Sequence, residues 1–480
     1  MDTLPMYLNQ YAQMAPRQRL LGDRTGWLTT RQVRQRVEDT AGRLYGLGLR
    51  AGDWVVLRME HSCDAVIMLL ALQAIGVVAV LRGQRCGQRL PRLCAPVHGF
   101  LTRENGHWWL VNPDGEKISL PAKAAAFPQA SDAAAAAMVI FTSGSTGEEK
   151  GVILSQENLI SNLLASYPLG GYRPDDVALG ALPMDHVFGL ALLTGAIVLR
   201  HRLYLVPGSD VDTVLSTIEA QGITRMNGVP ALYLNMAAKK GEYDLSTLRC
   251  GFIGGGPCTA EQFDCIEKEL HMTLVPVYGM SECVGISCGD AKAPASLRRH
   301  GVGPFYACNE GKILLPDGTT AAAGQVGEVC VRGPQRMLGY CDDAQTKAVL
   351  DGEGFLHTGD LGFVDEAGIL HLTGRKKDII IRNGRNLSAR RIEEALLRIP
   401  GVEDAMVVAL PHGVQGEVPG ALVRSDLPET VILARLTSML TKNEIPMELK
   451  CVGSIPYTAT GKPDKLRGKE LLRQWRKASF

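Results

Sequence analysis

Apolar and polar positions follow two different rhythms along this chain, and the change comes near residue 300. Over Thr30–Leu47, apolar residues recur at Val33, Val37, Ala41, Leu44 and Leu47, a spacing that predicts an amphipathic helix. Gly52–Asp53 then turns the chain into Trp54–Leu57, an expected strand. A buried helix is expected over Ala65–Ile75 and a strand over Val77–Leu81. Met138–Ile140 reads as another buried strand, and the alanine-rich Pro121–Ala137 before it as a surface connection. This alternation predicts an α/β fold with a mostly parallel sheet. Leu203–Val206, Gly251–Ile253 and Leu274–Val277 each run into glycine-bearing turns. In open α/β sheets ligands sit beyond the carboxyl ends of strands, so these loops are expected to converge.

From about Gly301 short strands with turn punctuation dominate, at Lys312–Leu315, Gly327–Arg332 and Ile369–Thr373. Gly374–Arg391 is dense in charge, and Arg391–Ile399, Ala405–Leu410 and Thr430–Leu440 predict a small α+β unit. A domain boundary is expected near Arg375–Asp378.

Composition changes this picture little. The 480 residues are 46% hydrophobic and 21% charged, enough to bury a large core. Fifty-one basic residues against fifty acidic ones leave a net charge of +1, which argues against nucleic acid as a partner. No apolar run reaches the roughly 20 residues of a membrane span, and Met1–Pro5 lacks a signal-peptide layout, so a soluble cytoplasmic protein is expected. Twelve cysteines without a C-x-x-C pair read as reduced thiols.

The chemistry starts at Phe141–Val152, FTSGSTGEEKGV. Thr142, Ser143, Ser145 and Thr146 surround Gly144 and Gly147, with Lys150 beyond them. Glycines let backbone N–H groups converge on an anion, hydroxyls add donors, and the lysine adds a point charge. The spacing rejects a Walker-type P-loop, which places four residues between its glycines and Lys-Ser/Thr after the second. Taken alone, such a loop is more often an ordinary surface turn.

Its neighbours decide otherwise. PMDHVFG at Pro183–Gly189, GGGP at Gly254–Pro257, YGMSE at Tyr278–Glu282, HTGDLG at His357–Gly362, GRKKD from Gly374, and PYTATGKPDK at Pro456–Lys465 follow in order. Together they resemble the adenylate-forming superfamily of acyl- and aryl-CoA synthetases, adenylation domains and luciferases, from about Leu28 to Leu472. The resemblance implies a large N-terminal domain, residues 1–374, of layered α/β sheets plus a small distorted β-barrel. A small mobile α+β domain, residues 378–480, would follow a hinge near Lys377.

It also implies site roles. Thr142, Ser143, Gly144, Ser145, Thr146, Gly147 and Lys150 would bind the ATP phosphates, and His186 would gate the carboxylate pocket. Gly254, Gly255 and Gly256 would lie along adenine, and Tyr278 and Gly279 would complete that surface. Ser281 would donate to phosphate and Glu282 would hold Mg²⁺. Asp360 and Arg375 would bind the ribose hydroxyls, and Lys462 would reach the α-phosphate and the substrate carboxylate.

The implied activity is activation of a small carboxylic acid by ATP, with pyrophosphate release, then transfer to a thiol: CoA, or a carrier-protein phosphopantetheine acting in trans. The other readings are a stand-alone adenylation enzyme and a non-catalytic nucleotide-binding relative. Four positions depart from the pattern. Glu149 stands for proline, Pro463 follows the lysine, and Ala389 and Arg391 replace proline and glutamate in GRNLSARRIE. Seven basic residues in Gly374–Arg391 offer either a phosphate-binding surface or a solvated face.

Overall fold

The structure is a computed structural model and describes residues 1–83, 91–143, 149–206, 208, 210–457 and 463–478. The chain divides into two compact units, one of Met1–Gly311 with Val331–Leu356, the other of Lys312–Cys330 with His357–Phe480.

The first unit holds two eight-stranded sheets. In one, the strands Thr273–Met280, Cys250–Ile253, Arg225–Gly228, Val177–Gly180, Arg202–Leu205 and Arg19–Asp23 lie side by side and parallel. An antiparallel strand closes each edge, Cys283–Cys288 at one and Gly26–Thr29 at the other. In the second sheet, Ala136–Ser143, Val78–Gly83, Trp54–Met59 and Val97–Glu104 run parallel. Glu149–Ser155 pairs antiparallel with Ala136–Ser143, and Gly339–Tyr340 adds itself beyond it.

The helices expected from the apolar stripes form. Thr30–Gly46 starts at a capping box, Thr29 accepting from the Gln32 backbone while Gln32 accepts from that of Thr29. Cys63–Ala74 is almost wholly apolar and is buried at every residue except Asp64, as a nearly all-round hydrophobic helix must be. Residues 121–135 carry no strand or helix and connect the two elements around them.

In the second unit, Glu310–Leu314, Gly327–Arg332, Leu356–Val364 and Leu370–Arg375 make a four-stranded sheet. Arg385–Ser388, Ile379–Arg382, Gly416–Ser425, Val402–His412 and Glu448–Cys451 make a five-stranded one. The helix Ala389–Leu397 lays Ile392, Ala395 and Leu396 on that sheet, in a core with Val407, Ala421 and Val423. The four-stranded sheet falls with the C-terminal residues, so the division does not coincide with the expected boundary near 375–378. One visible tie is the Ser388 hydroxyl, which donates to the Thr373 carbonyl at 2.9 Å.

Candidate functional site

Thr142 and Lys150 lie at the facing ends of two antiparallel strands. Thr142 pairs with Lys150 and Ser143 with Glu149 across antiparallel strands. Gly144, Ser145, Thr146 and Gly147 lie outside the described residues. The alternation of side chains along a strand fixes which face Lys150 uses. Its ammonium sits 5.1 Å from the centre of the Tyr340 ring, a cation–π contact that the pairing of Tyr340 with Val152 sets up.

Tyr340 continues the chain of contacts. Its hydroxyl donates to Glu282 Oε1 at 2.6 Å, and burial together with that carboxylate raises the phenol well above its ordinary pKa, so it remains a donor. Ser281 and Glu282 form the tip of a hairpin, because Met280 pairs directly with Cys283. Both side chains are buried. The turn expected at Tyr278–Gly279 is instead the end of the strand Thr273–Met280. A Cβ at Gly279 would stand 2.4 Å from the Val284 carbonyl, so the hairpin closes only with glycine there. Tyr340, absent from the sequence expectations, brings the Lys150 strand and the Glu282 tip together. Its only signal was the aromatic itself, since the pairing that places it spans nearly two hundred residues.

His186 caps the helix Val187–Val198, its Nδ1 accepting from the Phe188 N–H at 3.4 Å. The buried Asn227, on a neighbouring strand, donates to the Phe188 carbonyl at 3.2 Å. Gly254 is buried, whereas Gly255 and Gly256 are exposed just past the strand Cys250–Ile253. The Phe188 ring lies 3.8 Å from where a Cβ on Gly254 would be. His186, Asn227 and Gly254 thus meet at the carboxyl ends of parallel strands.

In the second unit, Asp360 and Arg375 stand opposite each other in register, Arg375 Nε 2.9 Å from Asp360 Oδ1. HTGDLG lies within the strand Leu356–Val364. Thr358 Oγ1 donates to the Val329 carbonyl and accepts from the Asp360 N–H, which sets the carboxylate's direction. Glu328 accepts from the Gly359 N–H at 3.2 Å and from Lys376 Nζ at 3.2 Å. His357 Nδ1 lies 3.3 Å from Glu328 and 3.6 Å from Cys330 Sγ. Burial works to raise the Glu328 carboxyl, but hydrogen bonds from His357 and Lys376 outweigh it and hold the group below its usual range. These three residues have the donor types of a metal site. Lys376 already supplies a cation to Glu328, and the cluster supports the strand that carries Asp360.

Lys462 lies outside the described residues. Three positions on, Lys465 opens the helix Lys465–Ala478 and sits 3.0 Å from Asp378 and 3.4 Å from Glu393. Those carboxylates raise its pKa against the effect of burial. The departures near the hinge have partners too. Ala389 is buried at the first turn of its helix, and Arg391 Nε donates to Glu444 at 2.7 Å. Of the seven basic residues, Arg375, Lys376, Arg390 and Arg391 are ion-paired and Arg382 bonds to backbone carbonyls and Gln415.

Among the described residues no helix is long and apolar enough to cross a membrane. The AMP-binding enzyme family profile matches residues 8–89 and 102–341, and that of the AMP-binding enzyme C-terminal domain matches residues 391–462. The 2-succinylbenzoate–CoA ligase of Bacillus cereus strain Q1 is 30% identical, over 96% of this chain and 97% of its own. That of Bacillus mycoides is 31% identical with the same coverage. The ATP-bound MatB structure from Rhodopseudomonas palustris superposes with a TM-score of 0.87 at 25% identity, covering 99% of this chain and all of that one. The o-succinylbenzoate CoA synthetase of Bacillus subtilis, bound to its acyl-adenylate, shares the fold with a TM-score of 0.84 at 24% identity, over 98% of both chains.

Proposed function

We propose how the site works from one premise: this chain belongs to the AMP-binding enzyme family. It is an AMP-forming acid–CoA ligase. ATP activates a carboxylic acid as the acyl-adenylate, and the acyl group then passes to CoA.

In the first step a carboxylate oxygen bonds to the α-phosphorus as the bond to the bridging oxygen breaks, and pyrophosphate leaves. Catalysis here is mainly positioning and charge stabilisation. Lys150 and the hydroxyls around it hold the β- and γ-phosphates, Ser281 donates to phosphate, and Lys462 stabilises the α-phosphoryl charge. Glu282 would hold Mg²⁺, which would supply neutralising charge to the phosphates; the Tyr340 hydroxyl donates to Oε1 and orients the carboxylate for this. Asp360 and Arg375 bind the ribose. Tyr278 and Gly254–Gly256 flank adenine, and His186 stands at the acid's entrance. The observation that carries this assignment is the contact chain Lys150–Tyr340–Glu282, which brings phosphate-binding and metal-binding residues from distant segments together.

In the second step the CoA thiolate attacks the acyl carbon and AMP leaves. The residues after Lys377 swing to withdraw Lys462 and admit the thiol. Lys465, clamped by Asp378 and Glu393, ties the start of the C-terminal helix to the residues just past the hinge, so both travel together. The acid is aromatic, of the class named for the Bacillus relatives. Its ring packs between Phe188 and the bare backbone of Gly254–Gly256.

The test is pyrophosphate release from ATP across a panel of aromatic, fatty, dicarboxylic and amino acids, with and without CoA. Release with an aromatic acid and a CoA thioester product supports the reading. Release without CoA consumption points to a carrier protein as acceptor, and silence with every acid points to an acid outside the panel or to a nucleotide-binding protein without this activity.

A further inference from the structure

Glu149 departs from the proline of the family pattern, and the structure gives that carboxylate a partner. Arg82, near the end of the strand Val78–Gly83, donates from a terminal guanidinium nitrogen to Glu149 Oε2 at 2.8 Å. The Arg82 side chain is 8% exposed and that of Glu149 40%. The same guanidinium lies 4.7 Å from the centre of the Phe141 ring. Phe141 and Glu149 belong to the two strands of the hairpin that ends in Thr142 and Lys150. One cation therefore grips both strands, through an ion pair on one and a ring face on the other. Arg82 Nε is buried without a hydrogen-bond partner among the described residues, so the guanidinium's hydrogen bond to Glu149 comes from its terminal nitrogen.

The Asp185 carboxylate lies against Gly83, 2.6 Å from where a Cβ would be, and hydrogen-bonds to its backbone. Asp185 immediately precedes His186. Burial raises its carboxyl, partly offset by the nearby His61 and Arg82.

We propose that Arg82 is a positioning residue for triphosphate binding: by joining Glu149 to Phe141 it fixes the hairpin end that presents Thr142 and Lys150. The proposal rests on the phosphate role assigned to that hairpin above. A proline stiffens a loop by locking its own φ; here a cross-strand ion pair supplies the stiffness instead. An ion pair with one member nearly buried is costly to break on one side, since the remaining charge has lost its water. Lys150 inherits the register, and through Tyr340 so does Glu282.

The test separates triphosphate from monophosphate binding. Dissociation constants for Mg·ATP and for AMP are measured by calorimetry on the wild type and on Arg82→Met, Arg82→Lys and Glu149→Gln. Glu149→Gln places its change on a half-exposed side chain and keeps the test open where Arg82→Met does not fold. The expected result is about a tenfold weaker ATP affinity in Arg82→Met and Glu149→Gln with AMP affinity unchanged. Arg82→Lys should recover part of the loss, and the double variant should be no worse than either single one. Equal weakening of ATP and AMP, or none in a folded Glu149→Gln protein, overturns the positioning role. A wild type that binds AMP but not ATP overturns the phosphate assignment of the hairpin itself, and the proposal with it.

Discussion

Asp360 and Arg375 are direct cross-strand neighbours, and the guanidinium meets the carboxylate at 2.9 Å. The pair orients the carboxylate proposed above to take two ribose hydroxyls. Asp360→Asn leaves one acceptor oxygen, so the affinity for ATP should fall about ten- to a hundredfold, in line with a lost charge-assisted bond of 1.5–3 kcal/mol. The same variant should discriminate little between ATP and 2′-deoxy-ATP, whereas the wild type should prefer ATP. Steady-state KM values for both nucleotides check this.

Lys462→Ala should reduce adenylation by about 10²–10³-fold, the usual scale for removing a stabiliser of transition-state charge. Thiolysis of a supplied acyl-adenylate should be nearly unchanged, because the proposed swing withdraws the lysine in that step. Equal loss of both half-reactions in a folded protein refutes the assignment.

Tyr340→Phe removes the hydroxyl that orients Glu282 but keeps the ring beneath Lys150. The concentration of Mg²⁺ at half-maximal activity should rise several-fold, at the lower end of the 10–100-fold range for outer-shell partners. Activity at saturating Mg²⁺ should recover most of the wild-type rate. A Mg²⁺ titration of initial rates reads both.

Arg225 and Asp176 are an ion pair buried at 0% and 1% exposure, with Arg249 sharing the carboxylate. The Arg225 guanidinium also lies 3.5 Å from the centre of the Tyr172 ring. Arg225→Met strands part of the Asp176 charge, so stability should fall by about 3–5 kcal/mol. Urea unfolding followed by tryptophan fluorescence measures it.

His201 stacks on Tyr172 beside the same pair. Burial, then the Arg225 charge, pushes its pKa down to about 4, against a hydrogen bond to the Arg202 carbonyl and the Asp176 charge. The unfolded chain, at about 6.5, binds the proton first, so the stability contributed by neutral His201 is complete above that pH. It drains away as pH falls toward 4. The loss amounts to about 3 kcal/mol over that window. His201→Asn should flatten this part of the pH–stability curve, which urea midpoints at pH 7.5, 5.5 and 4.5 resolve.

The sequence was most readable where the physics is local. The stripe through Val33, Val37 and Ala41 and the continuous apolar run at Ala65–Ile75 gave helices within a residue or two of those observed. Gly327–Arg332 was bounded by its own turn residues and matches the observed strand. What stayed hidden depends on pairing between distant segments. No periodicity in His357–Gly362 separates an inner strand of a sheet from a loop, and nothing near Tyr340 points to Glu282. Glu149 and Arg391 stood out as departures, but their partners Arg82 and Glu444 lie 67 and 53 residues away, beyond any local pattern.

The pairing of Thr142 with Lys150 also limits how this chain can diverge. Surface loops usually absorb inserted or deleted residues, and strands flanking them can slip to compensate. Here a slip by one residue would turn Lys150 to the opposite face of the sheet, away from Tyr340. The number of residues between the two strands is therefore as constrained as their identity. Lineages of this enzyme should keep the number of residues between Thr142 and Lys150 unchanged.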